Sequence, residues 1–106
     1  MAGIIVTPAA ENDLTDIWLF IAEDNPQTAD RVFESAQMIF DSLLEQPKIG
    51  KIFESKRKKL KGIHFFPIVK YPKYIVYYRE TSNGIEVVRV LHSRMLREGR
   101  LLLNDL

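Results

Sequence analysis

The strongest constraint on this chain is a change of hydrophobic period near Pro47. Before it, apolar residues recur at three- and four-residue spacing: Ala10, Leu14, Ile17, Trp18 and Ile21, then Ala29, Val32, Phe33, Ala36, Phe40, Leu43 and Leu44. That spacing predicts two amphipathic helices. After it, β-branched and aromatic residues gather in short runs over residues 63–69, 74–79 and 85–92, which read as strands. Helices segregated from strands predict an α+β fold, with a helical hairpin packed on one face of a mainly antiparallel sheet.

Local signals set the boundaries. Residues 3–6 are a short apolar run suited to a first strand, and Thr7-Pro8 supplies an N-cap with proline at the first helical position. Asn25-Pro26 repeats the device, so the two helices are joined by a tight connection. Helical periodicity fails over residues 48–62, which are expected to form a loop or irregular extended segment. Tyr71-Pro72-Lys73 and Asn83-Gly84 mark the two hairpin turns. If the second turn spans Thr81 to Gly84, Arg79 faces Glu86 and Arg89 faces Val76. A guanidinium in mid-strand needs a partner to offset its desolvation, from a tyrosine or from an acid on the helices. Beyond Ser93, the residues Met95, Leu96, Leu102, Leu103 and Leu106 outline a short C-terminal helix, which Gly99 weakens by about 1 kcal/mol.

Size and charge narrow the possibilities. The 106 residues are enough for one domain, and a 46% apolar content favours a globular fold over disorder. No run approaches the roughly 20 apolar residues of a membrane span, and the N-terminus lacks a signal-peptide pattern, which points to the cytoplasm. Cysteine is absent, so disulfides and thiolate metal sites are excluded. The net charge of +1 hides a division: residues 1–47 carry nine acids and one base, and residues 48–106 carry fourteen bases and five acids. The balance is thus −8 against +9. Such halves partly neutralise each other on packing, and the basic half is also suited to an acidic partner.

Several segments together resemble a known family. They are Leu14-x-x-Ile17-Trp18-x-x-Ile21-Ala22 followed by Asp24-Asn25-Pro26; Pro47-x-x-Gly50; Gly62-Ile63-x-x-Phe66-Pro67-Ile68; Tyr74-Ile75-Val76-Tyr77-Tyr78-Arg79; and Ile85 through His92. In order and spacing the chain is similar to the ParE toxins of bacterial type II toxin-antitoxin systems, within the RelE/ParE superfamily. The resemblance implies a cytoplasmic bacterial toxin that inhibits DNA gyrase by protein binding and is neutralised by a ParD-like antitoxin. It also implies either a homodimer or a toxin-antitoxin hetero-oligomer, and no cofactor. Two positions depart from the family pattern: His-Gly-x-Arg-Asp is replaced by His92-Ser93-Arg94-Met95-Leu96, and a frequent arginine before the second strand is His64.

The superfamily's RelE branch, which cleaves messenger RNA on the ribosome, is the rival reading. Its chemistry requires a general base beside cations that stabilise a phosphorane. Cations are plentiful, but all four tyrosines (Tyr71, Tyr74, Tyr77 and Tyr78) precede the last strand and none lies in the tail. His92 with Arg94 is the remaining catalytic candidate, and its structural alternative is a histidine that caps the strand exit. A third reading is a ParE fold retained as a non-toxic interaction module. The binding candidates are Lys56, Arg57, Lys58, Lys59, Lys61, His92, Arg94 and Arg97. The two histidines have no carboxylate at ligand spacing, so no metal site is expected. Without a nucleic-acid motif, direct DNA binding is not expected either. Trp18, Phe33 and Phe40 are expected mostly in the core, with antitoxin anchors taking whatever apolar groove the hairpin leaves at its rim.

Overall fold

The two helices begin where their caps dictate. The computed structural model describes residues 3–95 and 101. After strand β1 (Ile4–Val6), the Thr7 hydroxyl accepts the Ala10 N–H at 3.0 Å and donates to the Val88 carbonyl at 2.8 Å, so one side chain both starts helix α1 (Pro8–Ala22) and ties it to the sheet. The Asn25 side chain accepts the Thr28 N–H and opens helix α2 (Pro26–Glu45). Trp18 Nε1 donates to Asp30 Oδ1 at 2.8 Å, pinning the antiparallel hairpin near its turn. Helix α2 buries Ala29, Val32, Ala36, Ile39, Phe40 and Leu43. Phe33, assigned to the core by periodicity, is 42% exposed, and Trp18 is only partly buried. Both sit at the margin of the stripe, where the sheet no longer covers the helix.

The remaining elements are β2 (Lys51–Ile52), β3 (Ile63–Ile68), β4 (Tyr71–Thr81) and β5 (Gly84–His92), with short 3-10 turns at Lys58–Leu60 and Ser93–Met95. They form a five-stranded sheet in the order β1-β5-β4-β3-β2. β1 pairs in parallel with β5, and the other pairings are antiparallel. Both helices pack on one face over Val76, Tyr78, Ile85, Val87 and Val90. The alternate strand residues Ile63, Tyr77, Val88 and Leu91 form a second apolar layer with Leu60 and Leu101. The expected C-terminal helix falls mostly outside the described residues.

Two turn assignments change. Val69 and Lys70 make the first hairpin turn, since Ile68 pairs with Tyr71, and Pro72 lies within β4 instead of in a turn. The register shift between Ile68–Tyr71 and Pro67–Ile75 places Pro72 in a bulge, where its missing N–H breaks no ladder bond. In the second hairpin Thr81 pairs with Gly84, leaving Ser82-Asn83 as the loop. Gly84 has φ +153° and lies against the Gly3 backbone, so any Cβ would collide there.

Part of the segment expected to be irregular is ordered. Tyr78 reaches from the sheet to hold the Pro47–Gly50 turn, donating to the Pro47 carbonyl at 2.7 Å and accepting the Gly50 N–H at 3.0 Å. A Cβ on residue 50 would strike that hydroxyl, which explains the glycine. From this clamp β2 pairs with β3, and the Lys58–Leu60 turn drops Leu60 into the second apolar layer.

Candidate functional site at the exit of the last strand

β1 ends at Val6 opposite Val87, whereas β5 runs on to His92. The edge of β5 therefore loses its strand partner halfway, and its polar groups need other partners. The Val87 carbonyl accepts the Thr7 N–H, the Val88 carbonyl accepts the Thr7 hydroxyl, and the Val90 N–H donates to Asp13 Oδ2 at 3.0 Å. A register shift allows this arrangement: Tyr78 pairs with Val87 and Tyr77 with Arg89, so Val88 is the extra residue of a bulge. Arg89 consequently faces Tyr77, not Val76 as uninterrupted pairing would require.

Arg89 takes an acid from the helices as its partner. Its Nε and Nη2 donate to Asp13 Oδ2 and Oδ1, both at 2.7 Å, in a bidentate pair that is nearly buried on both sides. The Asp13 hydrogen bonds raise the Arg89 pKa above its ordinary value, against the opposing effect of burial. The guanidinium is thus committed to structure: it fastens the middle of α1 to the far half of β5.

Next to this pair lies a groove of about 450 Å³ between α1 and the strand exit. Ile17, Phe20, Val90, Leu91 and Met95 supply its apolar lining, and Asp13, Asp16, Tyr74 and His92 its polar groups. Phe20 is 71% exposed and Met95 44%, so two large apolar side chains stand open at its margin. Tyr74 pairs with His92 across the strands, their rings meeting edge to face at 5.3 Å. Burial raises the Tyr74 pKa further above neutrality, so the phenol ionises only at still more alkaline pH. His92 Nδ1 accepts the Arg94 N–H at 3.1 Å, which makes His92 a cap on the strand exit.

The candidate binding residues do not converge. His92 and Arg94 flank the groove exit, with Arg94 exposed. Lys56, Arg57, Lys58, Lys59 and Lys61 are also exposed, but they belong to the other end of β4, where the Lys59 carbonyl accepts a hydrogen bond from Arg79. Arg79 and Tyr74 are five positions apart on that strand, about 17 Å at strand rise. Arg97 lies outside the described residues. Sequence reasoning passes over Asp13, Asp16 and Phe20 as site residues, whereas it reads Tyr74 as a candidate for stacking beside Tyr71 and Phe65, and Met95 as part of an apolar segment free to meet a partner. Asp13 carried a usable signal: it falls between Ala10 and Leu14 on the buried stripe, where an acid requires a partner.

A family profile described as the ParE toxin of the type II toxin-antitoxin system parDE matches residues 4–97. The chain belongs to the ParE toxin family. Among curated relatives, Toxin RelE2 of Caulobacter vibrioides is 28% identical over 96 residues, spanning 91% of this chain and all of that protein. A solved chain from the chromosomal ParDE toxin-antitoxin system of P. aeruginosa superposes with a TM-score of 0.67 at 16% identity, covering 87% of this chain and 96% of its own. The latter supports the ParE fold: two helices on a mixed five-stranded sheet. This member of the ParE/RelE superfamily is therefore a toxin of the type II class. Among its described residues, no helix is long and apolar enough to cross a membrane.

Proposed function

We propose that this ParE-family chain acts by binding a protein, DNA gyrase, without itself cutting nucleic acid, and that a ParD-like antitoxin neutralises it by occupying the groove at the exit of β5. One observation carries this reading: the groove combines apolar anchors with the exposed carboxylate of Asp16, the charge of Asp13 being neutralised by Arg89. Such a lining repels a phosphate backbone and suits a protein segment with apolar side chains. Arg89, the cation nearest the groove's acids, is already engaged by Asp13. The exposed turn at Lys56–Lys61 offers a second contact for an acidic stretch of the same partner.

Messenger RNA cleavage has one observation in its favour: the Tyr74 phenol, His92 imidazole and Arg94 guanidinium all belong to the strand exit. Induced expression separates the two readings. The gyrase reading expects loss of supercoiling and DNA damage signalling with transcripts intact, and rapid messenger cleavage within codons would sink it. Absence of any growth effect from folded protein would instead identify a non-toxic module. Substituting Phe20→Asp should reduce antitoxin capture at least about tenfold, as expected when an apolar anchor is replaced by a charge. Unchanged capture would remove the groove from the antitoxin interface.

A further inference from the structure

The fold keeps the basic turn from Lys56 to Lys61 away from the acidic helices. Those helices cover one face of the sheet, whereas the turn sits over the other, where Leu60 is buried with Ile63, Tyr77 and Val88. Lys56, Arg57, Lys58, Lys59 and Lys61 are all exposed, and residues 55–62 contain no acid. Among the described residues, no carboxylate lies within ion-pairing distance of Lys56, Lys58, Lys59 or Lys61. The turn is also fixed in shape. The Leu60 N–H donates to the Arg57 carbonyl and the Lys61 N–H to the Lys58 carbonyl, the Ser55 hydroxyl accepts the Arg57 N–H, and Arg79 donates to the Lys59 carbonyl. Five cations are thus held together against their mutual repulsion, and the one apolar side chain among them, Leu60, points inward.

We infer that this turn binds the phosphate backbone of duplex DNA without reading its sequence. Lys58, Lys59 and Lys61 span about 6 Å at 3-10 rise, a length over which the duplex presents about three to four phosphates. A protein segment is disfavoured as the principal ligand, because such segments bind through apolar anchors and the turn exposes no surface to seat them. Single strands are disfavoured too, since they take stacking platforms and residues 55–62 carry no aromatic ring. Contacts to phosphates need no recognition motif, so the lack of one in the sequence is no obstacle. The acidic hairpin on the far face repels the same backbone and thereby fixes which face of the sheet approaches it. The inference does not rest on the gyrase reading. Under that reading, DNA held by the enzyme becomes a second contact for the toxin, and an acidic antitoxin stretch laid along the turn displaces it.

Fluorescence anisotropy of a labelled DNA duplex of about 20 base pairs and arbitrary sequence, titrated with the full chain, tests the inference. About four phosphate contacts give a slope of about −3.6 in log affinity against log salt, hence about a hundredfold loss between about 0.05 and 0.2 M salt. Lys56→Gln, Lys58→Gln and Lys59→Gln combined should weaken binding at least about tenfold at low salt and flatten the slope by about 2.7. Circular dichroism and Tm should stay unchanged, because all three side chains are exposed. Lys70→Gln combined with Lys73→Gln removes two exposed cations at the opposite end of β4, about 25 Å away at strand rise, and should change affinity less than about twofold. Absence of salt-dependent binding, full binding by the triple variant, or an equal loss in the Lys70 and Lys73 variant would each overturn the inference. Tighter binding of duplex RNA or of a polyglutamate peptide than of DNA at the same salt would do so as well, since the surface would then belong to that ligand. The titration uses toxin and DNA alone, so it succeeds or fails independently of any effect on gyrase.

Discussion

β5 joins an ion pair near its start and another in its second half, and the two differ in almost every respect that decides energy. Glu86 meets Arg79 at 3.5 Å with about a third of each side chain exposed, and the Arg79 Nε makes no hydrogen bond. Arg89 meets Asp13 at 2.7 Å with a tenth of each exposed, through two parallel bonds, while Asp13 also accepts a backbone N–H. Solvent screening and side-chain entropy leave the first pair with little net effect. The second pair gains most of its importance from what its loss would leave behind, an unpaired charge in the interior. Its contribution is therefore to specify structure: it selects which turn of α1 lies over the strand, and so shapes the groove beside it.

Breaking the buried pair should give the largest effect. Asp13→Ala should lower stability by about 3–5 kcal/mol in urea unfolding, whereas replacing Asp13 and Arg89 together with apolar residues should cost less than either single change. A single-mutant loss below about 1 kcal/mol would erase the contrast between the pairs.

Tyr78→Phe, which removes a neutral clamp instead of a charged one, should cost about 1–2 kcal/mol, because the Pro47 carbonyl and the Gly50 N–H both lose a partner. Burial raises the Tyr78 pKa above 10.0, with the Gly50 hydrogen bond opposing and Glu80 adding to the rise. The unfolded chain then ionises first: stability from this group is complete below about pH 10 and is lost as pH climbs through the folded-state value. Tyr78→Phe should accordingly make alkaline unfolding less steep, and an unchanged slope would assign that slope to Tyr74 and Tyr77, which shift in the same direction. The smallest effect belongs to Arg79→Ala, under about 1 kcal/mol and smaller still in high salt. A loss matching that of Asp13→Ala would show that exposure does not divide the pairs.

Much of the architecture was legible because it rests on local chemistry. Thr7-Pro8 and Asn25-Pro26 define helix starts through their own side chains and ring geometry, and they lie where the sequence indicated. The pairing of Arg79 with Glu86 was also readable, since it lies four residues from a recognisable turn. Farther along, the count fails at Val88, where a bulge slips the register without any glycine or proline to mark it. Phe33 shows a different limit: periodicity identifies a stripe but not how far the sheet extends beneath it. At the site, His92 was visible as a strand-exit histidine, but its neighbour Tyr74 lies 18 positions earlier and is brought to it only by that slipped register. Of the groove's carboxylates, Asp16 was hidden because an acid on a helix ordinarily reads as solvent-facing, whereas Asp13 lies on the buried stripe.

The parallel pairing of β1 with β5 governs the order in which the molecule assembles. Ile4 finds its partner at Ile85, so a chain emerging from the ribosome carries an unmatched first strand until β5 has been made. Contacts this distant in sequence slow folding, because a long loop must close before they form. The same closure brings Thr7 and Asp13 onto the far half of β5, and with them the walls of the groove. The groove therefore forms only after β5 has been made, and a ribosome-bound chain lacking β5 has no such groove to present.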